Sequence, residues 1–260
     1  MSLITKLSTR NNHLKALAAI SCTLLLASAS PAKTVLRYDF VNTMPNQPIE
    51  GVSSSVLPEA KLSAPVSMEP MAIKTGRTVS AQFSPGERQM VKSAMPVQAM
   101  KFSEGQTFTI QVWFKFHSTS NVGRSILSNR AFKSQNKNMP GFTILMRGDN
   151  SNIPDGVGAF VDLGEREVFL TSPEPLKKDV WHHVAVRRDE QGHLDLVLND
   201  VSVHRSGAGY LEPIKSPQVL ILGRLGNSQD EGGFFDGIIQ SVQVDDEFLY
   251  SHDFLPNVAE

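Results

Sequence analysis

Three side chains at alternating positions, Gln111, Trp113 and Lys115, are the residues most suited to chemistry in this 260-residue chain. They interleave with Phe108, Ile110, Val112, Phe114 and Phe116 in the run TFTIQVWFKF, the strongest period-two signal in the sequence. A strand with that pattern turns the all-apolar set into a core and leaves the polar set, with the indole, on the other face. An aromatic ring flanked by an amide and a cation suits a sugar, because the ring stacks on the C–H face while polar groups bond the hydroxyls. His183 and Arg187 are expected to approach from a neighbouring strand and complete that face. The plainer account is that a loop, such as the Pro/Met-rich segment near the N-terminus, covers Trp113 and makes it core. Trp181 reads more simply as core.

Other chemistries find less support. Glu165 and Glu167 stand two apart, and retaining glycoside hydrolysis needs two carboxyls ~5–5.5 Å apart, but Gly164 and the polar flanks read as a solvated hairpin turn. His182 and His183 are strand neighbours and point to opposite faces, so they cannot share an ion. His183 reads as a hydrogen-bonded structural imidazole. His117, His193, His204 and His252 show no ligand spacing. Calcium favours oxygens such as those of Asp149-Asn150-Ser151-Asn152 with Asp155, and of Asp230-Glu231 before Asp236, yet neither set has an ordered ligand spacing. No cofactor is therefore expected, with calcium the one ion left open. No Gly-x-Ser-x-Gly elbow occurs, and Arg147-Gly148-Asp149 is where a strand ends and reverses.

The elements that must position these residues are strands. Val180–Arg205 reads as a meander: Trp181–Arg188, a turn at Asp189–Gly192, His193–Leu198, the pair Asn199-Asp200, then Val201–His204. Further strands are predicted at Lys33–Phe40, on an edge, and at Thr78–Phe83, Pro96–Phe102, Thr107–Phe116, Ile126–Asn129, Gly141–Arg147, Gly156–Leu163, Glu167–Leu170, Gln218–Gly223 and Phe235–Val244. Val41–Pro70, rich in Pro, Ser and Met, reads as loops and short extended pieces. Helical periodicity appears nowhere over a useful length. The pattern implies an all-β, two-sheet antiparallel sandwich.

Residues 1–32 are read as a signal peptide: Lys6, Arg10 and Lys15 precede an apolar run, and Ala27-Ser28-Ala29 fits a cleavage site near residues 29–32. Export to a periplasm or beyond the cell follows, with residues 33–260 as one domain. No apolar run reaches the ~20 residues that span a bilayer. Cys22, the only cysteine, lies in the leader, so the mature chain must be stabilised by core burial rather than disulfides. Formal charge is −1, which argues against nucleic acid as a partner.

The strings WHHVAVRRDEQGHLDLVLND, LILGRLGN and FDGIIQSVQVDDEFLYSHDF, with FTIQVWFKF upstream, resemble the laminin-G-like jelly roll of the concanavalin A-like lectin and glucanase superfamily, in its bacterial form. The resemblance runs from about Phe102 to Phe254. It implies a jelly roll, and a family of lectins, adhesion domains and glycosidases on one scaffold. The hydrolases' Glu-x-Asp-x-x-Glu pattern is absent. Gln240-Ser241 stands where many relatives carry an acid that helps hold calcium. The resulting expectation is a non-catalytic recognition module that binds a glycan through Gln111, Trp113, Lys115, His183 and Arg187. An envelope protein partner, or a glycosidase with an unrecognised acid pair, is the alternative.

Overall fold

The computed structural model describes residues 33–40, 46–48, 51–52, 61–63, 70–75, 78–130, 140–225 and 233–256. The leader, most of Val41–Pro70 and Asp230-Glu231 lie outside the described residues. Those described belong to one compact unit, Ala32–Glu260.

Two antiparallel eight-stranded sheets face each other. The first runs β14 (Val201–Arg205), β13 (Leu194–Leu198), β12 (Trp181–Arg188), β7 (Phe108–Phe116), β16 (Gly237–Asp245), β5 (Thr78–Phe83), β4 (Met71–Thr75). One edge of β16 is shared end to end: Gly237–Ile239 pair with β5, while Ser241–Asp245 pair with β1 (Thr34–Asp39). The second sheet runs β11 (Glu167–Thr171), β10 (Val157–Asp162), β9 (Gly141–Met146), β8 (Arg124–Ser128), β15 (Ile221–Leu222), β6 (Val91–Ser93), β3 (Leu62–Ser63), β2 (Gly51–Val52). This is a jelly-roll sandwich, and the only regular helical turns among the described residues are short 3₁₀ pieces.

The predicted meander forms as β12, β13 and β14. Its two-residue turn puts both Asn199 (φ 48°) and Asp200 (φ 68°) in the left-handed region, the conformation of a type I′ hairpin. β7 is central, between β12 and β16. Its apolar side chains Phe108, Ile110, Val112, Phe114 and Phe116 are fully buried between the sheets. Full burial of each such side chain stabilises the fold by ~1.5–3 kcal/mol. Phe102 stacks on Phe108 (4.3 Å, 23°), and Phe142 of the opposite sheet meets both edge-on.

Two expectations fail. Pro96–Phe102 is not a strand: Gln98–Met100 form a 3₁₀ turn, and only Phe102 bridges to Ile214. Pro96 offers no N–H, and the turn lets both Val97 and Met100, three residues apart, reach the core, whereas an alternating strand would place them on opposite faces. β4 and β6 form where no strand was expected, because MAIKT lacks alternation and VKS is too short to show any.

Arg188, on the inner face, is completely buried. It donates to the carbonyls of Gln106 (2.8 Å), Glu212 (2.8 Å) and Ser103 (2.9 Å), and lies 5.2 Å from the Phe108 ring. Burial lowers its pKa to about 10, and the carbonyls satisfy the charge by tying two loops, the one before β7 and the one after β14, to β12.

Candidate functional site

The expected five residues do come together. The register pairs Lys115 with Trp181, Trp113 with His183, Gln111 with Ala185 and Thr109 with Arg187, so all of them share the outer face of the first sheet. That face is not open, which corrects the expectation of an exposed sugar platform. After β16 the chain turns back and residues 246–256 lie across it. Leu255 N–H donates to Gln111 Oε1 (3.0 Å), the Trp113 indole N–H to the Leu255 carbonyl (2.7 Å), and Arg187 Nη1 to the Leu249 carbonyl (2.7 Å). Leu249 and Phe254 pack on Ala185 and Val197 as a second small core. Gln111, His183 and Arg187 are buried, and only Trp113 and Lys115 keep partial exposure. Trp113 is covered by the C-terminal segment; most of the Pro/Met-rich one lies outside the described residues.

The polar groups beneath this cover are matched to one another. Gln111 Oε1 already accepts from Leu255, so its amide donates to Asp245 Oδ2 (3.2 Å) and His183 Nε2 (3.1 Å away) must carry the proton that Gln111 accepts. Burial pushes the His183 pKa down to about 4. Asp245 is held above the usual carboxylate range by burial, partly offset by hydrogen bonds from Thr34, Gln111 and Gln243. Arg187 pairs with Asp195 (3.2 Å), and its pKa is lowered chiefly by burial.

The outer face of the second sheet is different. Leu145, Phe160 and Phe169 project there, on the opposite phase from the buried Ile144, Ala159, Val161, Val168 and Leu170. With Arg147, Val122 and Leu225 they line a recess of about 480 Å³, rimmed by Asn121, Asn150 and Ser151. Phe160 and Phe169, directly paired across β10 and β11, stack at 4.3 Å and 28°. Gly158 makes room for this: a Cβ there would lie 2.8 Å from the Phe169 ring. Gly148 allows the wall to close, since its Cα sits so near the carbonyls of Ser120 and Asn121 that a Cβ would clash at 2.5 and 2.7 Å. The Ser151 hydroxyl is enclosed yet has no hydrogen-bond partner among the described residues. Half-buried Phe160 and Phe169, not the five residues above, thus form an accessible aromatic floor. The sequence signal for them is an aromatic on the polar phase of both arms of one hairpin.

The remaining candidates are distributed over both sheets and their loops. Asp162 and Glu167 are cross-strand partners, and both bind Arg130, Asp162 at 3.2 Å. With a guanidinium between them they act as its counter-charge. Glu165 lies in the exposed turn between β10 and β11. In the oxygen-rich loop, the Thr119 hydroxyl is 3.1 Å from Asp149 Oδ1 and also contacts Asp155, whose other oxygen is 3.1 Å from Lys178 Nζ. No three His, Cys, Asp or Glu side chains gather as a metal site among the described residues. His182 turns inward and bonds the Lys177 carbonyl (2.9 Å). Arg147, first of the Arg-Gly-Asp run, is half-buried in the recess rather than presented on a loop tip.

The sequence matches the concanavalin A-like lectin/glucanases superfamily, in a laminin-G-type family, over residues 89–252. The chain belongs to that superfamily. No curated protein matches it in sequence. In structure it is similar to domain 4 of AbnA, a GH43 extracellular arabinanase from Geobacillus stearothermophilus solved with arabinotriose (14% identity, 85% of this chain and 96% of that one, TM-score 0.60). It is also similar to the binding domain of Paraclostridial Mosquitocidal Protein 1 (10% identity, 85% and 50%, TM-score 0.61) and to that of botulinum neurotoxin serotype G (11% identity, 85% and 49%, TM-score 0.61). The chain thus spans about half the length of those toxin domains. At such identities the likeness concerns the jelly roll. Among the described residues no helix is long and apolar enough to cross a membrane.

Proposed function

We propose that this superfamily member is an exported, non-catalytic carbohydrate-binding module, and that the sugar lies in the Phe160/Phe169 recess rather than on the Trp113 face. The observation that carries the reading is the stacked aromatic floor of a concave site whose rim offers a guanidinium and two amides. A pyranose or furanose ring presents C–H groups to such a floor and hydroxyls to such a rim. The arabinotriose-bound domain of the arabinanase shows that a sandwich of this shape is used for that purpose in another protein. Export rests on the leader-like residues 1–32.

The test is binding of the protein, freed of its leader, to an array of polysaccharides, with wild type and Phe169→Ala side by side and with calcium or EDTA. Binding that Phe169→Ala weakens about tenfold or more, at unchanged Tm, is the expected result; this is the upper range of stacking contributions. EDTA sensitivity reversed by added calcium would show that calcium takes part in binding. Absence of binding to any glycan would leave the envelope-protein alternative, and release of reducing sugar would identify a glycosidase.

A further inference from the structure

The floor of the recess is part of a row of four planar groups. Arg130 lies 4.9 Å from the Phe160 ring, Phe160 stacks on Phe169, and Arg147 lies 5.6 Å from the Phe169 ring. The two ends are alike in geometry and unlike in charge. Arg130 is neutralised by Asp162 and Glu167. Arg147 donates through Nη1 to the neutral Thr171 hydroxyl (2.9 Å), and no carboxylate among the described residues forms an ion pair with it. Asp149, two residues along, is turned toward the Thr119 hydroxyl and acts on Arg124 instead. The other rim groups, Asn121, Asn150 and Ser151, are uncharged. Arg147 therefore brings a charge that no carboxylate among the described residues pairs, with an Nε/Nη2 edge that makes no hydrogen bond among them, into a recess walled by Val122, Leu145 and Leu225. Partial exclusion of water strengthens its attraction for an anion, and the planar fork matches two oxygens of one acidic group.

We propose that the ligand is an anionic saccharide whose carboxylate or sulfate is received by Arg147 while its ring rests on Phe160 and Phe169. This rests on the reading of the recess as a sugar site and names the class of sugar. It also gives the row a purpose: the paired Arg130 braces the floor from behind, and the unpaired Arg147 selects.

The experiment measures affinity for polygalacturonate and alginate oligosaccharides, for chondroitin sulfate, and for neutral xylan, arabinan and galactan oligosaccharides. Carboxyl-reduced and desulfated counterparts separate the two sources of negative charge. Wild type, Arg147→Gln, Arg147→Lys and Phe169→Ala are compared, with Tm as the check on folding. The expected result is preference for acidic glycans, weakening as NaCl rises from 0.05 to 0.5 M. Arg147→Gln should lose tenfold or more on them, and Arg147→Lys, which keeps the charge and the stem on Phe169, should retain the preference with reduced affinity. Neutral glycans bound as tightly as acidic ones, with both Arg147 variants within twofold of wild type, would overturn the proposal. In that case loss of binding in Phe169→Ala would leave the sugar-site reading standing. No binding to any glycan by wild type overturns both.

Discussion

His183 shows how one residue's chemistry is set by what covers it. Its ring sits 5.0 Å from that of Trp113 and 4.9 Å from that of Phe254, and Nδ1 has only the well-hydrated Asp200 carboxylate at 3.8 Å. The unfolded chain takes up a proton near the ordinary histidine value, whereas the folded chain holds this imidazole neutral down to about pH 4. Protonation thus favours unfolding as pH falls from about 6.5 to 4, a loss of up to roughly 3 kcal/mol from this group, restored as pH rises. Urea midpoints measured across that window should fall steeply for wild type and less steeply for His183→Gln. Equal slopes would show that the buried imidazole does not control acid stability. His182, also depressed by burial, acts in the same sense and is common to both proteins. At the same scale, the strand alternation around 108–116 was enough to divide the side chains of β7 correctly between two faces. It carried no information on which outer residues would be open, because burial of Gln111 and His183 is imposed by a segment that is distant in sequence.

Among the elements, the C-terminal segment 246–256 decides the fate of the first sheet's outer face. It offers Leu249, Phe254 and Leu255 to that face, and its backbone takes up the hydrogen bonds of Gln111, Trp113 and Arg187. Phe254→Ala removes a ring from the small core with Ala185 and Val197 and from the contact with His183. The expected cost is about 3 kcal/mol, with a lower Tm and a red-shifted tryptophan emission as water reaches Trp113. Unchanged emission together with unchanged Tm would mean that the segment does not cover Trp113 in solution. The β12–β14 meander was legible in sequence because its turn chemistry is local: Asn and Asp tolerate the left-handed region that the type I′ turn at 199–200 demands. The 3₁₀ turn at Gln98–Met100 and the short β6 were not, since core contacts and pairing with β15 and β3 outweigh weak local preferences there.

For the whole molecule, stability comes from the contact of two sheets. The lone Cys22 has no second cysteine to pair with, so melting curves with and without dithiothreitol should superimpose, and a lowered Tm under reduction would reveal a crosslink between chains. The two-sheet architecture, the central place of TFTIQVWFKF and the absence of intramolecular disulfides were legible from period-two alternation, turn residues and composition, which act locally or additively along the chain, and the superfamily from the resemblance of whole strings such as WHHVAVRRDEQGHLDLVLND. The choice between two candidate faces was not. As text, Gln111, Trp113, Lys115, His183 and Arg187 stand out as ligand groups, and Arg147, Phe160 and Phe169, opposite them, do not. Tertiary structure separated them by laying the chain's end across the first set and leaving a glycine-made recess at the second. Which face stays open depends on long-range packing, and periodicity holds no record of it.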